Sequence, residues 1–326
     1  MVDAYRSARQ FGISVILLTM LFRLFETGLP QKLLPPNSIR EDRETELLVR
    51  SFSFGQPRLL PFIAESPPPT SVPREPEKRE FSEEDAAVIA LSNASDKEPA
   101  LEALLAAPLE WSLGGMEPSV LILHTHTTES YEPGEEHYPE TAPYRTLEEE
   151  HNMLSIGSRV AEILEAAGIS VVHDRKLHDY PSYSGAYNHA RKAIRAMGQE
   201  HPGIRIVLDL HRDASEGTGG QLRTAAEIDG QPGAQLMFVV GCGNAGLKHP
   251  RWEENLSLAL KLQVLLEKRS PGICRPISLR NQRYNQDLSP GALLVEVGAA
   301  GNTREEALLA AQALAEAIIC LKNGTK

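Results

Sequence analysis

The chain has 326 residues, 41% of them hydrophobic and 24% charged, with 44 acidic against 33 Lys and Arg side chains and a formal net charge of -11. It is too long for a disulfide-stapled mini-protein and too apolar to be disordered throughout. No block of basic residues is present to neutralise phosphates, which excludes nucleic acid as the expected partner, and the three cysteines (Cys242, Cys274 and Cys320) lack the CxxC spacing of a thiolate zinc site.

Residues 11–22 (FGISVILLTMLF) are almost all apolar and follow Arg6 and Arg9, the charge order of a secretory signal or a signal anchor. The run is shorter than the roughly 20 apolar residues that span a bilayer. Leu24, Phe25 and Leu29 extend it past Arg23, a side chain that can snorkel to the interface. Two readings stay open for residues 1–29: a retained single-pass anchor, and a signal removed by cleavage. Both carry the rest of the chain out of the cytoplasm. Residues 30–117 read as a proline-rich, low-order tether. Pro57, Pro61, Pro67, Pro68, Pro69, Pro73 and Pro76 fall within twenty residues, a density that excludes helices and central strands. Short helices are expected only at 83–91 and 100–107.

From Pro118 the pattern alternates. Strands are predicted at 119–123, 169–172, 204–210, 236–240 and 292–297. Helices are predicted at 152–167, 187–197 and 252–267. Gly168 sits where the first of these needs a left-handed cap. The last helix starts at Thr303, and Glu306 completes a capping box with it. Such alternation predicts one α/β layered domain over 118–326, with a mainly parallel sheet and helices on both faces. That length falls short of the roughly 250 residues of an eight-fold barrel.

Ligands of open α/β sheets collect at the carboxyl ends of strands, and three strand ends here carry reactive side chains. LILHTHTTES presents His124 and His126; IVLDLHRDA presents Asp209, His211, Arg212 and Asp213; ALLVEVGAAGN presents Glu296 and Asn302. One histidine at a strand end is more often structural, but the combination points to a catalytic zinc. Two histidines and a carboxylate fill three positions and leave the fourth open. A further carboxylate, off the metal, then handles protons. Glu148, Glu149 and Glu150 are candidates for the liganding carboxylate, although acids before a helix are also favoured simply by its dipole. If the first strand runs through both histidines, His124 and His126 face the same side. The stretch 129–140, with five acids and His137, reads as a solvated loop over the site. His173, His178, Asp179 and Tyr183 read as loop anchors.

The motifs HTHTTESY, HNMLSIGSRVAEILEAAGI, HDYPSY, DLHRDA and NQDLSPGALLVEVGAAGNT resemble, in the same order, those of the stage II sporulation protein P family. That family is similar to the zinc-dependent N-acetylmuramoyl-L-alanine amidases of the type 3 fold. The resemblance implies one Zn2+ and cleavage of the bond between muramic acid and its stem peptide, with an endopeptidase activity on cross-links. It also implies a mother-cell membrane anchor, septal peptidoglycan as substrate during engulfment, and stage II sporulation proteins D and M as partners, D acting as a lytic transglycosylase.

Residue by residue, the amidase pattern of a Glu four positions before the helix-opening Asn selects Glu148 relative to Asn152. His211 becomes the second histidine ligand. His126 becomes the first, with His124 as ligand or close neighbour. EVGAAGN matches E-x-G-F-x-S-N in spacing and makes Glu296 the catalytic carboxylate, departing from it at Ala299 and Gly301. Arg212, whose planar fork suits a carboxylate, and Asn302 are the implied substrate-binding residues. Asp209 and Asp213 would hold that arginine or orient a histidine. Two other classes compete: an amidohydrolase or phosphoesterase barrel, which often carries His-x-His at its first strand, and a peptidoglycan-binding scaffold with a degenerate site.

Overall fold

The computed structural model describes residues 81–134, 137–217, 220–244 and 246–324. The expected anchor at 1–29 and the proline-dense run at 57–76 lie outside the described residues. Among the described residues no helix is long and apolar enough to cross a membrane.

In chain order the elements are α1 (Glu83–Ala86), β1 (Leu91–Asn93), α2 (Leu101–Ala106), β2 (Val120–Leu123), α3 (Met153–Ala166), β3 (Val171–His173), α4 (Ala186–Glu200) and β4 (Ile206–Asp213). Two short ribbons follow, β5 (Glu216–Gly217) with β6 (Gly220–Gln221), and β7 (Ala226–Ile228) with β8 (Gln231–Gly233). Then come β9 (Leu236–Gly241), α5 (Trp252–Arg269), β10 (Ile277–Arg280), β11 (Gly291–Ala299) and α6 (Arg304–Gly324).

Seven strands form one open sheet in the order β1-β10-β9-β11-β4-β2-β3. Every neighbouring pair is parallel except β9 with β11. The mainly parallel expectation holds, with one reversal that divides the sheet into two parallel blocks. An open sheet removes the barrel that the amidohydrolase alternative requires.

Residues 81–117 belong to this domain rather than to the tether. β1 pairs with β10 through Leu91 and Ile277, and Leu105 of α2 is buried in the main core. Pairing across so many residues leaves no local periodicity to read. β1 is three residues long and β10 is four, so their partners define them.

Strand alternation divides the core in two. Ile122, Leu208, Phe238 and Val295 face α3, α5 and α6 in the large core. On the opposite face, Leu121, Leu123, Val207 and Ala292 meet Ala190 and Ile194 of α4. Further along that face of β4 and β11 come His211 and Glu296, which are register partners. Beyond them Met237, Val239 and Leu294 pack only with one another and with Tyr284. Helices therefore cover one face fully and the other only over β2, β4 and the start of β11. The sheet outruns α4, and that step in cover makes the cleft.

Helix α3 shows how local sequence builds a wall of this site. Asn152 caps it by accepting from the Leu154 amide at 2.9 Å. Met153, Ile156, Val160 and Leu164 then place one apolar face in the core, each fully buried and each contributing about 1.5–3 kcal/mol. Gly168 ends the helix at φ +71°. At the C-terminal side, Thr303 and Glu306 form the expected capping box of α6, with bonds of 3.2 and 3.3 Å.

Gly157 brings α3 close against the His124 and His173 rings. A Cβ there would sit 2.5 Å from His124 Nε2 and 2.6 Å from His173 Nε2. Both rings are boxed in, so Gly157→Ala is expected to lose about 1–3 kcal/mol from overpacking. Denaturant unfolding of the variant checks this; an unchanged midpoint would show that the helix can lift away freely.

Candidate functional site

The cleft lies at the carboxyl ends of β2, β4 and β11 and has a volume of about 530 Å³. His126, Glu129, His211, Arg212 and Glu296 all line it. Of the residues expected from sequence, His126, His211, Arg212 and Glu296 are thus brought together, while His124, Glu148 and Asn302 are not.

His124 and His126 part company because β2 stops at Leu123. Asp209 on the neighbouring strand accepts from Thr125 N at 2.7 Å and Thr125 Oγ1 at 2.6 Å, which pulls the chain into a turn. His124 consequently points inward. Its Nδ1 lies 3.1 Å from Leu210 O, and its Nε2 shares a 2.9 Å hydrogen bond with His173 Nε2. Burial, together with His173, lowers its pKa to about 3. It is a structural neighbour of the site and not a cleft residue.

His126 emerges after the turn. Its ring stacks on Tyr183 at 4.4 Å and meets His211 edge-on at 5.2 Å. Tyr183 Oη lies 3.0 Å from Nε2, while Nδ1 is buried with no hydrogen-bond partner. Burial lowers the His126 pKa to about 4. Tyr183 thereby does more than anchor a loop. His178 and Asp179 are anchors as expected: His178 pairs with Asp174 at 2.9 Å, and Asp179 accepts from Thr128 Oγ1 and Arg145, each at 2.7 Å.

The carboxylate beside the histidines is Glu129. The turn from His126 closes on it, with Glu129 N donating to His126 O at 3.2 Å. Its Oε2 lies 3.7 Å from His211 Nδ1 and accepts from the Arg212 amide at 3.3 Å. Arg145 pairs with its other oxygen at 3.3 Å. Glu148, in contrast, is exposed, as are Glu149, which pairs with Arg175, and Glu150. The solvated-loop reading of 129–140 therefore fails at its first residue. The available signal was the three-residue spacing from His126, the reach of a single turn.

His211 is fully buried between two acids. Burial alone would lower its pKa, but Asp209, with Oδ1 2.9 Å from Nε2, and then Glu129 raise it to about 9. Glu296 sits one strand over; its Oε2 is buried with no partner, and burial raises its pKa to about 8.

The two expected substrate-binding residues serve the scaffold. Arg212 donates to Ser130 O at 3.0 Å and Tyr144 O at 2.9 Å, which ties down the loop that carries Glu129. Asn302 is buried, bonding Thr224 O at 2.6 Å, Glu306 Oε2 at 2.7 Å and the Ala299 amide at 3.0 Å. It fixes the bulge after Glu296, where Gly298 adopts φ +71° and a Cβ would meet Ala234 at 2.8 Å. Among the described residues no three His, Cys, Asp or Glu side chains form a ready-made metal cluster.

The sequence model described as Stage II sporulation protein P matches residues 63–319. The chain belongs to the stage II sporulation protein P family. It is 30% identical over 264 residues to stage II sporulation protein P of Bacillus subtilis (strain 168), an alignment covering 78% of this chain and 60% of the relative. The chain thus spans about 60% of that relative's length. Among solved structures it is similar to N-acetylmuramoyl-L-alanine amidase AmiC2 of Nostoc punctiforme, with TM-score 0.39 and 15% identity over 63% of this chain and 97% of that chain. It is also similar to the CwlD amidase of Clostridioides difficile in complex with the GerS lipoprotein, with TM-score 0.35 and 16% identity over 62% and 94% of the two chains. The family match begins well before Pro118, in keeping with the ordered segment that supplies β1.

The raised Glu296 pKa carries a stability consequence. Between about pH 4.5 and 8 the unfolded chain has lost this proton while the folded metal-free chain keeps it. The folded state then binds more protons, so this group's contribution to stability falls as pH rises through that window. Glu296→Gln is neutral and nearly isosteric. In chelator-treated protein its stability relative to wild type is expected to increase steadily from pH 5 to pH 8. Urea midpoints measured across that range check this, and a difference independent of pH would remove the buried-acid assignment.

Proposed function

We propose that the chain is a zinc-dependent peptidoglycan hydrolase that cleaves the amide between N-acetylmuramic acid and the L-alanine of the stem peptide. The observation that carries the proposal is the convergence of His126, Glu129 and His211 in the cleft that Glu296 lines. Two imidazoles and a carboxylate are the donor set of catalytic zinc sites that keep a position open. The buried, unpartnered His126 Nδ1 fits a missing electrophile, and Glu129 replaces Glu148 in the ligand set. Bound there, zinc would polarise the scissile carbonyl and acidify water.

The remaining chemistry belongs to the protein. Glu296 takes the proton of the attacking water and delivers it to the departing alanine nitrogen. Burial raises this carboxyl's affinity for a proton, which suits a group that must hold the proton between the two transfers. Asp209 orients His211, Tyr183 holds the His126 ring, and Arg145 fixes Glu129. The setting proposed with this activity is septal wall remodelling during endospore formation. The domain would act outside the cytoplasm from the membrane reached through residues 1–29, beside stage II sporulation proteins D and M.

The test combines metal stoichiometry with product masses from intact peptidoglycan treated with the purified full chain. One zinc per chain and stem peptides with a free alanine amine are expected. His211→Ala and Glu129→Gln should lose zinc and cleavage together. Glu296→Gln should keep zinc and lose about 10²–10⁴-fold in kcat. Glu148→Gln should keep both. Full zinc in His211→Ala, or zinc loss in Glu148→Gln, would overturn the ligand set. Cross-link cleavage alone would make the protein an endopeptidase, and neither zinc nor products would make it a binding scaffold.

A further inference from the structure

The cleft extends away from the histidines over the strands that α4 leaves uncovered. Its floor follows the sheet register: Met237 lies beside Glu296, Leu294 beside Val239, Val239 beside Ser278, and Ser278 beside Ser92. All of these line the same cavity. The floor is apolar near β11 and hydroxyl-bearing towards β1. Tyr187 and Tyr284, with ring centroids 6.2 Å apart, wall it on the α4 side.

Three arginines line this cavity, and they are not equivalent. Arg212 is buried on backbone carbonyls. Arg275 is neutralised by Asp213 at 2.7 Å. Arg280 is exposed, hydrogen-bonds Ser278 Oγ at 2.9 Å, and pairs with no acid among the described residues. A guanidinium oriented by a hydroxyl and a tyrosine but lacking a counter-ion is built for a ligand carboxylate.

The register also sets its distance from the reacting centre. Glu296 faces Met237, while Arg280 faces Gly241, four residues further along β9. Four residues of strand and two strand spacings separate the two α-carbons by about 16 Å. An extended peptide advances roughly 3.3–3.6 Å per residue, so three or four residues and the reach of an arginine cover that span.

We propose that this trench is a stem-peptide subsite, with Arg280 binding the carboxylate of the third or fourth residue from the scissile amide. The inference rests on the peptidoglycan reading above. Neutral sugars have no use for an unpaired cation. An anionic peptide with methyl side chains matches both the apolar floor and the charge at its end. Arg280 takes the role that the resemblance implied for Arg212.

Calorimetric titration of the full chain with the free stem tetrapeptide tests this without requiring turnover. Arg280→Met is expected to weaken binding at least about tenfold, the scale of a lost charge-assisted hydrogen bond, with Arg280→Lys falling between. Amidating the carboxylates of the third and fourth residues should weaken binding to wild type equally and leave Arg280→Met unaffected. Additive losses from amidation and substitution, an Arg280→Met affinity for the free tetrapeptide equal to that of wild type, or no tetrapeptide binding to wild type would each overturn the subsite. The two readings fail separately. Cleavage with Arg280-independent binding removes the subsite alone, whereas Arg280-dependent binding without amide cleavage removes the amidase reading alone.

Discussion

The Asp209 carboxylate accepts from the amide and the hydroxyl of Thr125 and lies 2.9 Å from His211 Nε2. These contacts tie β2 to β4 at the level where β2 ends. They stop β2 after Leu123, turn His124 under α3, and send His126 into the cleft. Asp209 is almost completely buried, so losing one of its partners would strand a charge in the interior, a cost of several kcal/mol. The turn is therefore held firmly. Glu129, at the far end of that turn, inherits its position from the same carboxylate.

A second constraint is unequal cover. The large core buries one face of the sheet under three helices, and α4 alone protects the other. Because α4 lies over β2, β4 and the start of β11, Met237 and Val239 of β9, Ser278 of β10 and Ser92 of β1 face the cleft on that side instead of a helix. Reactive groups and the cleft floor thus come from one architectural feature. The antiparallel junction of β9 with β11 extends this floor sideways, since it brings a second parallel block alongside with α5 packed on the opposite face of the joint.

Much of the domain was legible in the chain because its helices and central strands are long enough to show a period. Asn152, Gly168 and the Thr303–Glu306 pair mark helix ends through local bonds, and they do so in the structure. β1 and β10 were not legible, since three or four residues acquire meaning only from a partner far along the chain. The site was half legible for the same reason. His211 and Glu296 sit inside strands, where spacing reports direction. His124, His126 and Glu129 sit beyond a strand end, where direction depends on a turn enforced by Asp209. Linear comparison with a helix start favoured Glu148; a turn closing three residues after His126 favours Glu129.

The electrostatics of the cleft connect these constraints to chemistry. Asp209, Glu129 and Glu296 bring three carboxyls into a buried space that Arg145 and Arg212 only partly balance. Without metal, the protein retains protons where water would have removed them: His211 stays charged up to about pH 9, and Glu296 stays neutral up to about pH 8. Those two protons offset the surplus of negative charge. A divalent cation held by His126, Glu129 and His211 would supply the same compensation. It would displace the proton from His211 and leave Glu296 facing a positive centre, where its affinity for a proton falls toward that of attacking water. The buried acids that burden the metal-free fold would, with such an ion bound, be what readies the cleft for proton transfer at neutral pH.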